Sequence, residues 1–137
     1  MALDRATGKI VWVGLADEGV PRIPRHPRNS YASATPAPEG LHVVVSFGSE
    51  GLYCYSVNGD LLWQKDLGVI HAGKHNNPEY TWGTASSPIL YRGMVIVLCD
   101  SLGDGYLAAF DVKSGREIWR AKREAHPSWS TPAIYEG

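Results

Sequence analysis

One motif of about eleven residues recurs along the chain and constrains its fold more than any other feature. It reads Ala-Leu-Asp-Arg-Ala-Thr-Gly-Lys-Ile-Val-Trp over residues 2–12 and Ala-Phe-Asp-Val-Lys-Ser-Gly-Arg-Glu-Ile-Trp over residues 109–119. A copy one residue shorter occupies residues 54–63, so that Trp12, Trp63 and Trp119 each close one copy. The copies recur at intervals of roughly 50 residues, a period typical of propeller blades and similar arrays.

A second element recurs with similar spacing and helps to divide each repeat into strands. Thr or Ser precedes Pro at residues 35–36, 87–88 and 131–132, and a glycine follows each pair within a few residues. Short β-rich runs alternate with Gly, Pro, Asn and Asp, which favours strands joined by turns. We therefore predict four strands per repeat: one after the proline, one at 41–47 or 94–99, one at 52–57 or 106–112, and one at 60–66 or 116–121.

The motif itself predicts a tight hairpin between the last two strands of each repeat. Asp4 and Asp111 can accept backbone N–H groups from the turn that follows them. Gly8 and Gly115 supply the positive φ that such a turn needs. The closing tryptophan is predicted to pack against the neighbouring blade, because four-stranded units in tandem must stack to bury both faces.

The pattern Ala-x-Asp-x-x-Thr-Gly-x-x-x-Trp resembles the tryptophan-docking motif of the pyrroloquinoline-quinone-like, or quinoprotein-type, β-propeller repeats. The resemblance implies an all-β fold, a partial β-propeller of four-stranded antiparallel blades. In that frame, residues 2–13 end a preceding blade, 35–66 and 87–121 form full blades, and 131–137 begin a further one.

A partial ring leaves sheet edges open at both ends, and open edges tend to pair with other strands. We therefore expect a fragment of a longer propeller, or a unit completed by other copies of itself. Its partners would be the remaining blades, copies of the chain or another protein. We also expect the internal tryptophans to be buried and Trp119→Ala to be strongly destabilising. Trp12 should matter less if its partner blade is absent.

Composition excludes several other classes of partner. The net charge is −1 and the pI is about 6.5, so no basic surface points to nucleic acid. No apolar run approaches the ~20 residues of a membrane span. Cys54 and Cys99 allow one disulfide, but Cys54 aligns with Ala2 and Ala109 and is better explained as a small buried residue.

Candidate ligand residues fall on the long loops that the blade topology places at one rim, namely residues 14–34, 67–86 and 100–105. His71 and His75 have zinc-like spacing, yet the Gly-, Asn- and Pro-rich loop makes that spacing weak evidence. Asp100 and Asp104 faintly resemble a calcium loop without its alternating ligands. Trp82 could stack on a planar ligand near the axis, and packing between blades is the competing interpretation.

The preferred functional interpretation is a non-catalytic scaffold or binding surface with no cofactor, because no catalytic set is present. An alternative is part of a quinone-dependent alcohol dehydrogenase, which by resemblance would need pyrroloquinoline quinone, calcium and an Asp base. Another is part of a scaffold similar to the β-barrel assembly lipoprotein of the bacterial outer membrane. The resemblance implies export, for instance to the periplasm.

Overall fold

A computed structural model describes residues 1–24, 28, 30–74, 77–124 and 126–136, and for residues 74 and 77–81 it describes the backbone alone. Apart from a 3-10 turn at Gly48–Glu50, the secondary structure described is β. The strands are β1 Ala2–Leu3, β2 Ile10–Trp12, β3 Ala37–Glu39, β4 His42–Ser46, β5 Leu52–Ser56, β6 Leu61–Lys65, β7 Gly73–Lys74, β8 Asn77–Thr81, β9 Ile89–Tyr91, β10 Met94–Cys99, β11 Gly105–Asp111 and β12 Glu117–Arg123. Among these residues, none forms a helix of the length and hydropathy that crossing a bilayer requires.

Two antiparallel sheets of four strands carry the fold, and each follows chain order. One is β3-β4-β5-β6 and the other is β9-β10-β11-β12, while β1 and β2 form a separate hairpin. The predicted loop at 67–86 contains a further hairpin, β7-β8. Residues 131–136 show no strand pairing, and Gly137 lies outside the described residues, so a strand at 131–137 stays a prediction.

The core lies between the two four-stranded sheets and under the loop that joins them. Val44, Leu52 and Cys54 of the first sheet belong to one buried cluster with Val95 and Phe110 of the second. Strands β5, β10 and β11 are buried along most of their length, as expected for the middle strands of stacked sheets. Stacking therefore supplies the burial that one sheet could not provide alone.

Each hairpin of the repeated motif contains a β-bulge at the same place. The residue directly opposite the tryptophan is Ala2, Cys54 or Ala109, and the register shifts between it and the next residue of its strand. A bulge adds one residue to one strand and increases the local twist. The small residue in the motif thus lies opposite a large ring, at the point where the strand bends.

Candidate functional site

The indole of Trp63 connects the two full sheets. Its Nε1 donates a hydrogen bond of 2.8 Å to the backbone carbonyl of Val112, and only 9% of the residue is exposed. The ring lies against Gly115, where an added Cβ would come within 2.8 Å of two ring atoms. We call this combination of indole, carbonyl and glycine the blade joint.

Trp12 makes a second blade joint with the repeat that follows it. Its Nε1 donates to the carbonyl of Val57 at 2.9 Å, and its ring lies against Gly59, again 2.8 Å from an ideal Cβ. The ring also stacks on Tyr55, with centroids 5.8 Å apart. Both joints point forward along the chain, from the tryptophan of one repeat to the turn of the next.

The turn that receives the indole is organised by its first side chain. Asp111 Oδ1 accepts from the Ser114 backbone N–H at 2.8 Å and from the Ser114 hydroxyl at 2.6 Å, and Asp4 accepts in the same way from Thr7 at 2.7 and 2.6 Å. The hydroxyl hydrogen bonds lower the pKa of both carboxyls below its usual value. Ser56 takes this place in the middle copy, and its Oγ accepts from two backbone N–H groups.

The forward direction of the joint corrects our expectation for the outer tryptophans. The prediction that Trp119 is buried was wrong, whereas the smaller role predicted for Trp12 applied only if its partner blade is absent. Trp119 is 37% exposed, and within the part of the chain that the structure describes its indole N–H has no acceptor. Trp12 is the engaged one, because its partner turn belongs to the repeat after it.

Near the inner strands, the Thr/Ser-Pro pairs form a hydrogen-bond series that sequence reasoning missed. The backbone N–H of Thr35 donates to Ser87 Oγ at 2.8 Å, and the N–H of Ser87 donates to Thr131 Oγ1 at 3.4 Å. Each repeat thus donates to the next one. The recurrence of a hydroxyl residue before proline was the signal for this contact.

The loop-rich rim encloses a cavity of about 430 Å³. Four aromatic residues from successive parts of the chain line it: Tyr31, Phe47, Trp82 and Trp129. The rings of Trp82 and Trp129 lie 6.3 Å apart at 41°, and Trp129 Nε1 donates to the Gly83 carbonyl at 3.2 Å. Apolar walls with a few polar groups are typical of small-molecule and side-chain sites.

Of the five candidate rim residues, Trp82 lines this cavity, whereas His71, Asp100 and Asp104 are not part of its lining. Asp100 is fully buried and accepts from Arg123 Nε at 2.7 Å. His71 is exposed, and its carbonyl accepts the N–H of Leu102 at 3.0 Å. His75 lies outside the described residues, which contain no group of three His, Cys, Asp or Glu side chains placed to hold a metal ion.

Both cysteines are free thiols in buried positions. Burial raises the pKa of Cys54 and of Cys99 to about 11, so that both are protonated near neutral pH. Since the thiolate is the reactive form, neither side chain offers a nucleophile. Their surroundings are those of small core residues.

Comparison with known proteins places these blades in a family. The family model described as outer membrane protein assembly factor BamB, a pyrroloquinoline-quinone-like repeat model, matches residues 1–135. The fold is similar to a europium-containing methanol dehydrogenase (17% identity, TM-score 0.53, 66% of this chain and 15% of that one). It is also similar to the quinohemoprotein alcohol dehydrogenase from Comamonas testosteroni (17% identity, TM-score 0.57, 88% and 17%).

These similarities confirm the prediction of an all-β partial propeller. The chain spans 15 to 17% of the length of the two solved structures. No curated protein matches it at a significant level. At this identity the likeness concerns the fold, and function has to be argued from the residues themselves.

Proposed function

The chain belongs to the family of pyrroloquinoline-quinone-like β-propeller repeats, and we propose that it serves as a non-catalytic module of a longer propeller, acting as scaffold and binding surface. The observation that carries this proposal is the blade joint, which uses the defining residues of the repeat for packing. The indole N–H groups of Trp12 and Trp63 donate hydrogen bonds to backbone carbonyls of the next turn. The Asp and Gly of the motif build that turn, so the defining residues of the motif all have structural roles.

Polar groups near the rim support the same proposal because structural contacts engage them. Asp100 is buried, and the Arg123 guanidinium donates to both of its carboxylate oxygens. Glu50 borders the cavity and accepts the backbone N–H of Arg22 at 2.7 Å, while the Arg22 guanidinium pairs with Asp66 at 2.8 Å. Asp100 and Glu50 are therefore both held in structural contacts.

The binding surface in this proposal is the aromatic cavity at the rim. On the opposite rim the connections are minimal turns. Large rings on a rigid scaffold bury much area at little conformational cost, which is why Trp and Tyr are common where proteins bind ligands or side chains. Residues from several repeats meet here, so the cavity depends on the blades being stacked.

We expect Trp129→Ala to weaken binding of the apolar dye 1-anilinonaphthalene-8-sulfonate, which becomes fluorescent in such cavities. Loss of one ring contact predicts a change in Kd of about two- to tenfold. Fluorescence titration measures it, and Tyr135→Ala is the matched control because Tyr135 is 91% exposed and lies outside the cavity. Equal affinity in both variants and the parent chain would count against the cavity as the binding surface.

The fold neighbours favour a second candidate, part of a quinone-dependent alcohol dehydrogenase, because both solved structures are alcohol-oxidising enzymes. Among the residues that the structure describes, the lining of the cavity does not fit the cofactor. Pyrroloquinoline quinone is a tricarboxylate held with a cation, and Glu50 is the carboxylate that lines the cavity. Its Oε1 already accepts the backbone N–H of Arg22, and among the described residues no group of three His, Cys, Asp or Glu side chains is placed to hold calcium.

We expect no catalysis when pyrroloquinoline quinone and Ca²⁺ are added to the purified chain. The visible spectrum should equal the sum of its components, and dye-linked oxidation of a primary alcohol should stay at the level without protein. A quinone dehydrogenase loaded in parallel serves as the positive control. A new absorption band together with turnover would overturn the non-catalytic proposal.

The description of the matching family model favours a scaffold similar to the outer membrane assembly factor BamB. This candidate agrees with a non-catalytic module, and under it the protein would act at the outer membrane. Mass spectrometry of the native protein tests it. A lipid-modified cysteine at the mature N-terminus would support it, and an unmodified N-terminus would remove it.

A further inference from the structure

A short segment of this chain lies against the wall of the aromatic cavity in the way that a bound peptide would. Residues 21–24 read Pro-Arg-Ile-Pro, and we call them the strap. Ile23 and Pro24 belong to the cavity lining. Ile23 is 7% exposed, whereas Arg22 and Pro24 on either side of it are exposed. One buried aliphatic side chain therefore anchors a mostly exposed segment.

Gly83 provides the space that the anchor fills. An ideal Cβ at Gly83 would lie 2.7 Å from Ile23 Cδ1, which is too close for two carbon atoms. Gly83 does not have a positive φ, so its backbone conformation is open to other residues, and the lack of a Cβ is what Ile23 uses. The backbone at Gly83 is held by Trp129, whose Nε1 donates to its carbonyl. We call the space beside Gly83 the anchor pocket.

Two carboxylates hold the backbone and the charge of the strap. Glu50 borders the cavity, and its Oε1 accepts the backbone N–H of Arg22 at 2.7 Å. The Arg22 guanidinium pairs with Asp66 at 2.8 Å, where both side chains are exposed to solvent. Proteins that bind peptide segments combine the same two elements, because main-chain hydrogen bonds give affinity and side-chain pockets give specificity.

Aromatic rings extend this surface beyond the strap. Tyr31 and Trp129 line the cavity and are 40% and 43% exposed, so both rings are accessible while the strap is in place. Arg28 is part of the same lining. Trp, Tyr and Arg carry most of the binding energy in protein interfaces, and aromatic-lined grooves are typical sites for proline-containing segments.

We propose that the cavity binds a peptide segment of a partner protein in which an aliphatic residue directly precedes proline, and that the strap occupies the anchor pocket as an internal ligand. The inference rests on the proposed function and names the class of ligand that its binding surface takes. Ile23-Pro24 is the reason for this choice, because it shows which chemistry the pocket beside Gly83 accepts. Prolines restrict the backbone of such a segment, which reduces the entropy lost when it is held.

An internal ligand competes with an external one. The strap is tethered to its own site, so its effective concentration there is high and a partner peptide binds weakly until the strap leaves. When Ile23 leaves, the anchor pocket opens, and the Glu50 carboxylate can accept a backbone N–H of the incoming peptide instead of that of Arg22. The strap therefore controls access to the cavity.

Fluorescence anisotropy of a labelled peptide with the sequence Gly-Val-Pro-Arg-Ile-Pro tests the proposal. Ile23→Ala empties the anchor pocket and should lower the Kd of this peptide at least about tenfold relative to the parent chain. Val20→Ala is the matched control, because it also shortens an aliphatic side chain nearby, but one that is 95% exposed and outside the cavity lining. A peptide with Asp in place of Ile should show no gain with Ile23→Ala.

Refilling the pocket should reverse the gain. Gly83→Ala, added to Ile23→Ala, places a methyl group 2.7 Å from the present position of Ile23 Cδ1. The backbone at Gly83 accepts alanine, so the double variant keeps the fold and loses the space for the peptide's anchor. Its Kd for the peptide should return to at least that of the parent chain. Circular dichroism verifies that the variants are folded.

The parent chain offers a measurement without any substitution. A large excess of the peptide should displace 1-anilinonaphthalene-8-sulfonate from the cavity, and the peptide with Asp should not. Equal peptide affinity in the parent chain and Ile23→Ala, or a dye signal that the peptide leaves unchanged, would overturn the inference. Dye binding that depends on Trp129 without any binding of the peptide would remove this ligand and leave the proposed function standing.

Discussion

Trp63→Ala is expected to lower the free energy of unfolding by about 3–5 kcal/mol, as large-to-small changes of buried aromatic residues do. The ring is 9% exposed, lies between the two four-stranded sheets and donates to the Val112 carbonyl at 2.8 Å. Its removal leaves both a cavity and a carbonyl without its donor. Urea denaturation followed by far-ultraviolet circular dichroism measures the loss.

Trp119→Ala is the matched control, since Trp119 has the same motif position, the same bulge beside it and 37% exposure. Measured at a concentration where the chain is monomeric, its loss should be at most about 1 kcal/mol, in the range of changes that open no buried cavity. Equal losses at the two positions would contradict a stabilising role of the blade joint. A loss below about 1 kcal/mol at Trp63 would do the same.

The sequence was sufficient for the parts of the fold that depend on local chemistry. Alternating runs indicated the strands, and Asp111 with Gly115 indicated the hairpin turn, because side-chain capping and positive φ act within a few residues. The β-bulge was missed, since it shows only when the two strands are paired. The β7-β8 hairpin was missed because its residues carry no clear alternation.

The candidate site was predicted less completely, because it depends on contacts between distant residues. The long loops were predicted to carry any ligand site, and a cavity lies among them with Trp82 in its lining, but its role as a site stays a prediction. Asp100 belongs to a segment that faintly resembles a calcium loop, and in the structure it pairs with Arg123, 23 residues away on β12. The direction of the tryptophan contacts likewise could not be predicted from the sequence, because the motif of one repeat does not determine whether its ring packs against the preceding or the following repeat.

Gly115→Ala is expected to destabilise the chain by about 2–5 kcal/mol, measured by the same denaturation experiment. One part of this, about 1–2 kcal/mol, is the cost of a left-handed conformation in a residue with a Cβ, because Gly115 has φ +68°. The other part, about 1–3 kcal/mol, is overpacking. The new methyl would lie 2.8 Å from two atoms of the Trp63 ring, which is buried.

Gly8→Ala separates these two contributions, because Gly8 has the same kind of turn and nearly the same φ, +69°, with open space at its Cβ. In the monomer it should cost only the conformational part, about 1–2 kcal/mol. The difference between the two variants then measures the contact between ring and glycine alone. If both glycines cost the same, the glycine is needed for the turn and not for the ring. In that case the close approach of tryptophan to glycine does not contribute to stacking the blades.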